Sequence, residues 1–298
     1  MNRRITILAL IVFLLAACAA QAEPIKLAYK FTRGGLDKYR VNMTVNMTLP
    51  SMPGTRSMSP ISMSMEMLAW QRTLAVLPDG SAKLKITYSV PKVKLAGAAN
   101  GRQPVLPKQS FSVVMTMAPD GRLLGIEGME RVFALQGAGN LDVSQFSNLM
   151  GQYVFLPSEP VEVGTRWTQT VPMPFDAGEM TVDSVLQSYG ERVWSLTTAA
   201  INQKFGAHMD LGRVVNSVVD SAALGPKERQ MMSQVSGSLD LNGTMTFYFS
   251  PTLGKILKGN GQIWASFAIG MPKEAVKQGA PAEVYMTMDM NMTVSRCN

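Results

Sequence analysis

Methionine is the residue whose type and spacing most suggest chemistry in this chain. There are 23 methionines among 298 residues, and many alternate with other residues as Met-x-Met. Met63, Met65 and Met67 form one such run, and Met286, Met288, Met290 and Met292 another. A thioether sulfur is soft and suits Cu(I). Alternate residues on a strand lie ~6.8 Å apart, so one strand lines its sulfurs in a row instead of gathering three around an ion. Adjacent strands, ~4.8 Å apart, would have to close the gap. Two other uses compete. Flexible, polarizable methionines fill irregular gaps in a β core, and a Met-lined sheet face adapts to varied apolar ligands. On the apolar-ligand reading the binding residues are Met63, Met65, Met67, Met286, Met288 and Met290, and the partner is a lipid or another apolar molecule. Whether any metal is bound stays open at this point.

The remaining chemical inventory is thin. His208 is the single histidine, and no nucleophile elbow lies near it. A Ser-His-Asp triad needs a base within hydrogen-bond reach of the nucleophile. A structural zinc site needs four nitrogen or sulfur ligands, which one histidine and one cysteine do not supply. His208 therefore reads as a surface or helix-edge residue. Gly34-Gly35 lacks the Lys-Ser or Lys-Thr that follows a phosphate-binding loop. Asp176, Glu179 and Asp183 are the densest acidic group. Hard cations use such oxygens, but the spacing matches no calcium loop, so a solvated face is expected. No pair of carboxylates stands out for glycoside hydrolysis. The expectation is a protein without enzymatic activity and without a cofactor.

The first residues read as a targeting segment. Arg3 and Arg4 precede the uncharged apolar run Ile5 to Ala17, and Ala20-Gln21-Ala22 offers small residues for cleavage before Glu23. The run is shorter than the ~20 residues a membrane-spanning helix needs. Leu15-Ala16-Ala17-Cys18 also reads as a lipobox, in which Cys18 is lipidated. The two alternatives place the chain in the periplasm or anchored to the outer membrane. Under either, Cys297 is left alone, and no intrachain disulfide is expected. The formal charge of +7 falls by two with the leader. That mild balance fits peripheral contact with an anionic membrane surface, or simply solvated lysines. Nucleic acid is not expected, since basic residues are not interleaved with aromatic ones. The oligomeric state is not legible.

These residues sit on elements with a period of two. Met43, Val45, Met47 and Leu49 alternate with Thr44, Asn46 and Thr48. Leu84, Ile86, Tyr88 and Val90 repeat the pattern, as do Phe111 to Met117, Met245 to Phe249 and Met286 to Val294. Such alternation sets one face on a core and the other in water, most cleanly in antiparallel sheets. Leu77-Pro78-Asp79-Gly80, Ala118-Pro119-Asp120-Gly121 and Ser250-Pro251-Thr252-Leu253-Gly254 read as hairpin turns. Leu211, Val214, Val215, Val218 and Val219 recur at helical spacing, and Gly225-Pro226 opens a second helical stretch. Short helices are also expected within 128–153. Pro50 to Pro60 and Pro91 to Gln109 read as exposed loops.

The two proline hairpins at Met115–Leu124 and Phe247–Leu257 are alike, Gly35 and Tyr39 echo Gly164 and Trp167, and Asp79-Gly80 echoes Tyr189-Gly190. An internal duplication follows: residues 1–22 as signal peptide, 23–150 as a first β-rich half and 151–298 as a second, within one intertwined unit. The expected fold is mainly β and antiparallel, two repeated halves forming a curved sheet or open barrel with a few short covering helices.

Leu27-Ala28-Tyr29-Lys30-Phe31 followed by Gly35 and Tyr39, then the stretch from Leu156-Pro157 through Gly164-Thr165-Arg166-Trp167, carry a resemblance. With the late proline hairpin, they make the chain resemble an uncharacterised family of exported bacterial β-rich proteins and lipoproteins, a domain of unknown function. The resemblance spans most of the mature chain on short motifs. It implies a β-rich envelope protein and supplies no active site. At the level of fold alone the chain is also similar to lipoprotein-carrier-type open barrels, whose concave face holds acyl chains. Non-catalytic binding of an apolar or lipid-like ligand is the leading expectation. Copper handling through methionine is the second, and a structural or interaction role in the envelope the third.

Overall fold

The structure is a computed structural model. It describes residues 23–48, 60–96, 110–127, 154–173, 177–221, 234, 236–271, 276–277, 279 and 281–297. The helices expected within 128–153 and after Gly225, the loops at 50–59 and 97–109, the leader with Cys18, and Asp176 lie outside the described residues.

Eleven strands form one sheet. They are β1 (Leu36–Thr48), β2 (Ile61–Val76), β3 (Ala82–Ala96), β4 (Ser110–Met117), β5 (Leu123–Glu127), β6 (Arg166–Pro172), β7 (Glu179–Val193), β8 (Leu196–Asp210), β9 (Ser236–Ser250), β10 (Lys255–Gly270) and β11 (Glu283–Cys297). The order is β5-β4-β3-β2-β1-β11-β10-β9-β8-β7-β6. Every neighbouring pair is antiparallel. The mainly β, antiparallel, open curved sheet expected from the alternation is what the chain forms. Strands β1–β5 and β6–β10 appear in the same order, six places apart, and β11 joins the two runs.

The alternation fixes which side is buried, because a one-residue slip would send every side chain to the opposite face. Val41, Met67, Val294, Phe247 and Ile201 stand on one face, called here the inner face. The sheet curls so that Leu84, Ile86, Tyr88, Val113 and Met115 of one run meet Leu186, Ile201, Met245, Phe247 and Phe249 of the other in a single core. Two extended segments outside the sheet complete that core with Leu27, Tyr29, Val154, Leu156 and Val161. The run beginning at Ile25 is therefore not a sheet strand. It makes one isolated bridge, Ile25 to Val161.

The extended segment also ties the two proline hairpins together. The Tyr29 N–H donates to the Pro119 carbonyl at 2.7 Å, and the next N–H, of Lys30, donates to Gly254 at 3.2 Å. Gly121 and Gly254 both have positive φ, 88° and 62°. A Cβ at Gly121 would meet the Val154 carbonyl, and one at Gly254 would meet the Lys30 backbone. Each hairpin thus needs glycine twice over, for its turn and for the chain lying against it.

Local departures from the sequence pattern have local causes. β3 runs on through Pro91, where a loop was expected. Proline is tolerated there because the pairing with β2 shifts register between Glu66 and Leu68, and a bulge owes no ladder hydrogen bond. Gly190 is likewise a bulge within β7, and the turn expected near it falls at Trp194-Ser195. The helix expected from Leu211 is present as α1 (Leu211–Ser221). Asp210 caps it, its Oδ1 accepting from the N–H groups of Gly212 at 2.8 Å and Arg213 at 3.2 Å. Leu211 and Val214 pack it against Met173, Ala177 and Met209.

Candidate functional site

Beyond the sealed core, the inner face continues toward the other ends of β1, β2 and β11 as a methionine-lined surface. Register decides which side chains are neighbours there. Met43 stands between Met65 and Met292, Val45 between Met63 and Met290, and Met47 between Ile61 and Met288. Val41 lies between Met67 and Val294, and Met286 faces Phe267 on β10. All six candidate methionines, Met63, Met65, Met67, Met286, Met288 and Met290, therefore lie on one face. Each is half-buried. Met67 and Met292 touch the sealed core, so the core and this surface are continuous.

Cross-strand partners of Val41, Met43, Val45 and Met47 on β2, β11, β10, β9 and β8 include no charged residue. Glycines shape the far side of the stripe. Gly243, Gly259 and Gly261 occupy inner-face positions on β9 and β10. A Cβ on them would run into the Phe205 ring, the Phe247 ring and the Met245 sulfur respectively. Large side chains thus lie flat against bare backbone. Met245 in particular leans its thioether over Gly261, the direct neighbour of Met292. Met43, Met292, Met245 and Met65 consequently share one cross-strand row. The spacing Gly259-x-Gly261 inside an alternating strand is the signal from which this flattening was readable.

The opposite end of the inner face is closed by charge. Asp37 is 2% exposed and is held by Lys255 and by Arg296, whose Nε and Nη2 lie at 3.0 and 2.9 Å. A void of about 30 Å³ beside this cluster is lined by Tyr29, Tyr39, Gln71 and Lys255 among others. That is space for a water, not for a lipid. Burial pushes the phenols of Tyr29 and Tyr39 far up, and for Tyr39 the carboxylate of Asp37 adds to the rise. Burial alone raises Tyr88 to about 12. These hydroxyls stay protonated. The Tyr29 oxygen accepts the Val154 N–H at 2.9 Å.

The residues read from sequence as chemically plain are so placed. His208 is exposed and pairs with Asp240 at 2.7 Å. Glu179 and Asp183 are exposed, and Asp183 accepts a hydrogen bond from Thr168 at 2.6 Å. Among the described residues no group of three or more His, Cys, Asp or Glu converges as a metal site. Cys297 is a free thiol at the end of β11.

No protein-family model and no curated protein sequence matches this chain. Among solved structures, one of lipid–protein interactions in lipovitellin is similar at 13% identity and a TM-score of 0.43. The match covers 90% of this chain and 26% of that one, so the chain spans about a quarter of the lipovitellin chain. DynF, from the dynemicin biosynthesis pathway of Micromonospora chersina, matches at 9% identity and a TM-score of 0.20, over 92% of this chain and 86% of that one.

Proposed function

We propose that this chain is a non-catalytic, exported envelope protein that holds an apolar, lipid-like ligand on the methionine-lined part of its inner face. One observation carries the reading. An uncharged apolar stripe leaves a sealed core and continues across β2, β1 and β11, its methionines half-buried around a buried Val45. Contiguous apolar surface of this kind is costly in water and marks a place that something covers. Methionine suits such a place because its unbranched thioether repacks around ligands of different shape. Signal-peptide cleavage before Glu23, or lipidation at Cys18, would deliver the protein to the envelope. Native mass spectrometry of gently purified protein is expected to show co-purified lipid. Phenylnaphthylamine fluorescence should rise on binding, and Met65→Glu or Met290→Glu should weaken it by about tenfold or more, since a carboxylate would be buried against hydrocarbon. Wild-type protein that neither carries lipid nor binds the dye would sink the proposal.

The row Met65–Met43–Met292–Met245 favours a second reading, Cu(I) binding by thioethers on adjacent strands. Titration of the reduced protein with Cu(I) against a competing chelator separates the two. Binding tighter than micromolar that is lost in Met43→Leu supports copper, because leucine keeps the apolar surface and removes the sulfur.

We also propose that the halves 23–150 and 151–298 arose by duplication. The matching order of β1–β5 and β6–β10, and the two glycine-bearing hairpins clamped by residues 29 and 30, support it.

A further inference from the structure

The outer face of the same strands carries a different composition. β1, β11, β10 and β9 each turn four consecutive alternate side chains outward, in aligned rows. Five of those positions are asparagines: Asn42, Asn46, Asn242, Asn260 and Asn291. Asparagine is depleted in strands, so stability of the sheet does not account for its recurrence. Threonine fills most of the rest, and no lysine, arginine or glutamate occurs among them. The chain as a whole holds 28 Lys and Arg, and the outward side of β3 uses Lys83 and Lys85. This block is therefore not the ordinary charged exterior of a soluble sheet.

It is also not flat. Two grooves open on it, of about 490 and 380 Å³, within the ~300–1,000 Å³ range of small-molecule sites. Trp264 lies at the border of both and is 43% exposed. Beside it, Asp289 is held by amides. Gln262 donates to its two oxygens at 3.3 and 3.2 Å, and Asn291 donates at 3.2 Å.

We infer that these grooves bind a neutral glycan, with Trp264 as a stacking platform. Side-chain amides both donate and accept, as sugar hydroxyls do. The C–H face of a pyranose is weakly positive and apolar, and it complements the negative face of an indole ring. The charge pattern selects the class. The carboxylates of the block are Asp289 and, at its rim, Asp240, which pairs with His208. No cation stands among these positions, and Arg40, Lys258 and Lys204 lie one place beyond them, so the block itself offers amides and hydroxyls, and no fixed positive charge, to a polymer lying on it. The site lies on the opposite side of the sheet from the methionine stripe, so it stands or falls independently of the apolar-ligand reading.

The test uses the mature chain, titrated with chitohexaose, cellohexaose and maltohexaose by calorimetry and tryptophan fluorescence. At least one should give saturable binding. Trp264→Ala should weaken it by about tenfold, the upper scale of a lost aromatic contact. Gln262→Ala should weaken it by about threefold, the lower end of a lost hydrogen bond. Both variants should keep the far-ultraviolet circular dichroism and the urea midpoint of the wild type, which shows that the fold is intact. Absence of saturable binding to all three sugars overturns the inference, and so does binding that Trp264→Ala leaves unchanged. A preference for heparin over the neutral sugars, abolished by salt, would overturn it as well, because it would place recognition on basic residues elsewhere.

Discussion

The inner face of the sheet has two ends built on the same alternation, and they have opposite character. At one end Leu84, Met115, Phe249 and Ile201 are fully buried. At the other Met43, Met63, Met65 and Met288 remain half-buried. Hydrophobicity does not separate them, since both are apolar. What separates them is cover. Residues 25–31 and 154–161 are laid across the first end, locked there by hydrogen bonds to both proline hairpins. On β1 and β2 the methionines stand half-buried around a buried Val45. Methionine serves at both ends. Met115, Met117 and Met245 are fixed among rings and branched aliphatics at the covered end, while at the other end methionines predominate and stay free to repack.

The largest effects should come from the covered end. Phe249→Ala removes a fully buried ring that also meets Tyr29 edge-on at 5.3 Å. It should cost about 3–5 kcal/mol, the usual range for a buried phenylalanine. Met65→Ala should cost only about 1 kcal/mol, because much of that side chain already faces water. Urea denaturation of the two variants checks the pair. Equal losses would dissolve the distinction between a core end and a binding end.

The pH dependence sharpens the same contrast. Tyr88 belongs to the covered end, and burial lifts its phenol to about 12. The folded chain therefore keeps a proton that the unfolded chain releases near pH 10. The stability this contributes is fully present below pH 10 and is lost as pH rises from about 10 to 12. The loss amounts to about 1.4 kcal/mol per pH unit for each such group. Tyr29 and Tyr39 are shifted in the same direction and add to it. In Tyr88→Phe the alkaline decline should become shallower by one group's share. An unchanged slope would mean that this phenol is not sealed.

Much of this division was readable in advance, and some was not. Period-two runs such as Leu84–Tyr88 and Met286–Val294 announced an antiparallel sheet, and Pro-Asp-Gly announced its hairpins, because these signals are local. So was α1, from the spacing of Leu211, Val214 and Val215, although its cap, Asp210, was not read. That Met63 to Met67 and Met286 to Met290 share a face also follows from alternation once both pair with one strand. The pairing itself does not. β1 meets β11 across nearly the whole chain, and no local pattern specifies a contact of such sequence separation. Nor does apolar content tell the covering segments from strands: Ile25 to Phe31 reads like a strand and serves as a lid on the core. The outer asparagines were visible as residues, but their meeting around Trp264 depends on the register of four strands.

The smallest effect concerns the β7–β8 turn, at the rim of the covered end beside Thr198 and Ala199. Trp194 and Ser195 both have positive φ, 48° and 68°. Two-residue hairpin turns of this hand favour Asn-Gly, and a non-glycine residue there costs ~1–2 kcal/mol. Trp194 is 48% exposed, so burial of its ring returns little of that cost. The strain persists because the flanking strands are over-determined: Thr198, Ala199 and Ile201 are fully buried just beyond the turn. Replacing the pair by Asn-Gly should therefore raise stability by about 1 kcal/mol, seen as a higher urea midpoint at unchanged slope. Should the change instead destabilise the protein, the Trp194 ring would be contributing to the covered end, and the boundary between core and surface would have to be drawn one turn further out.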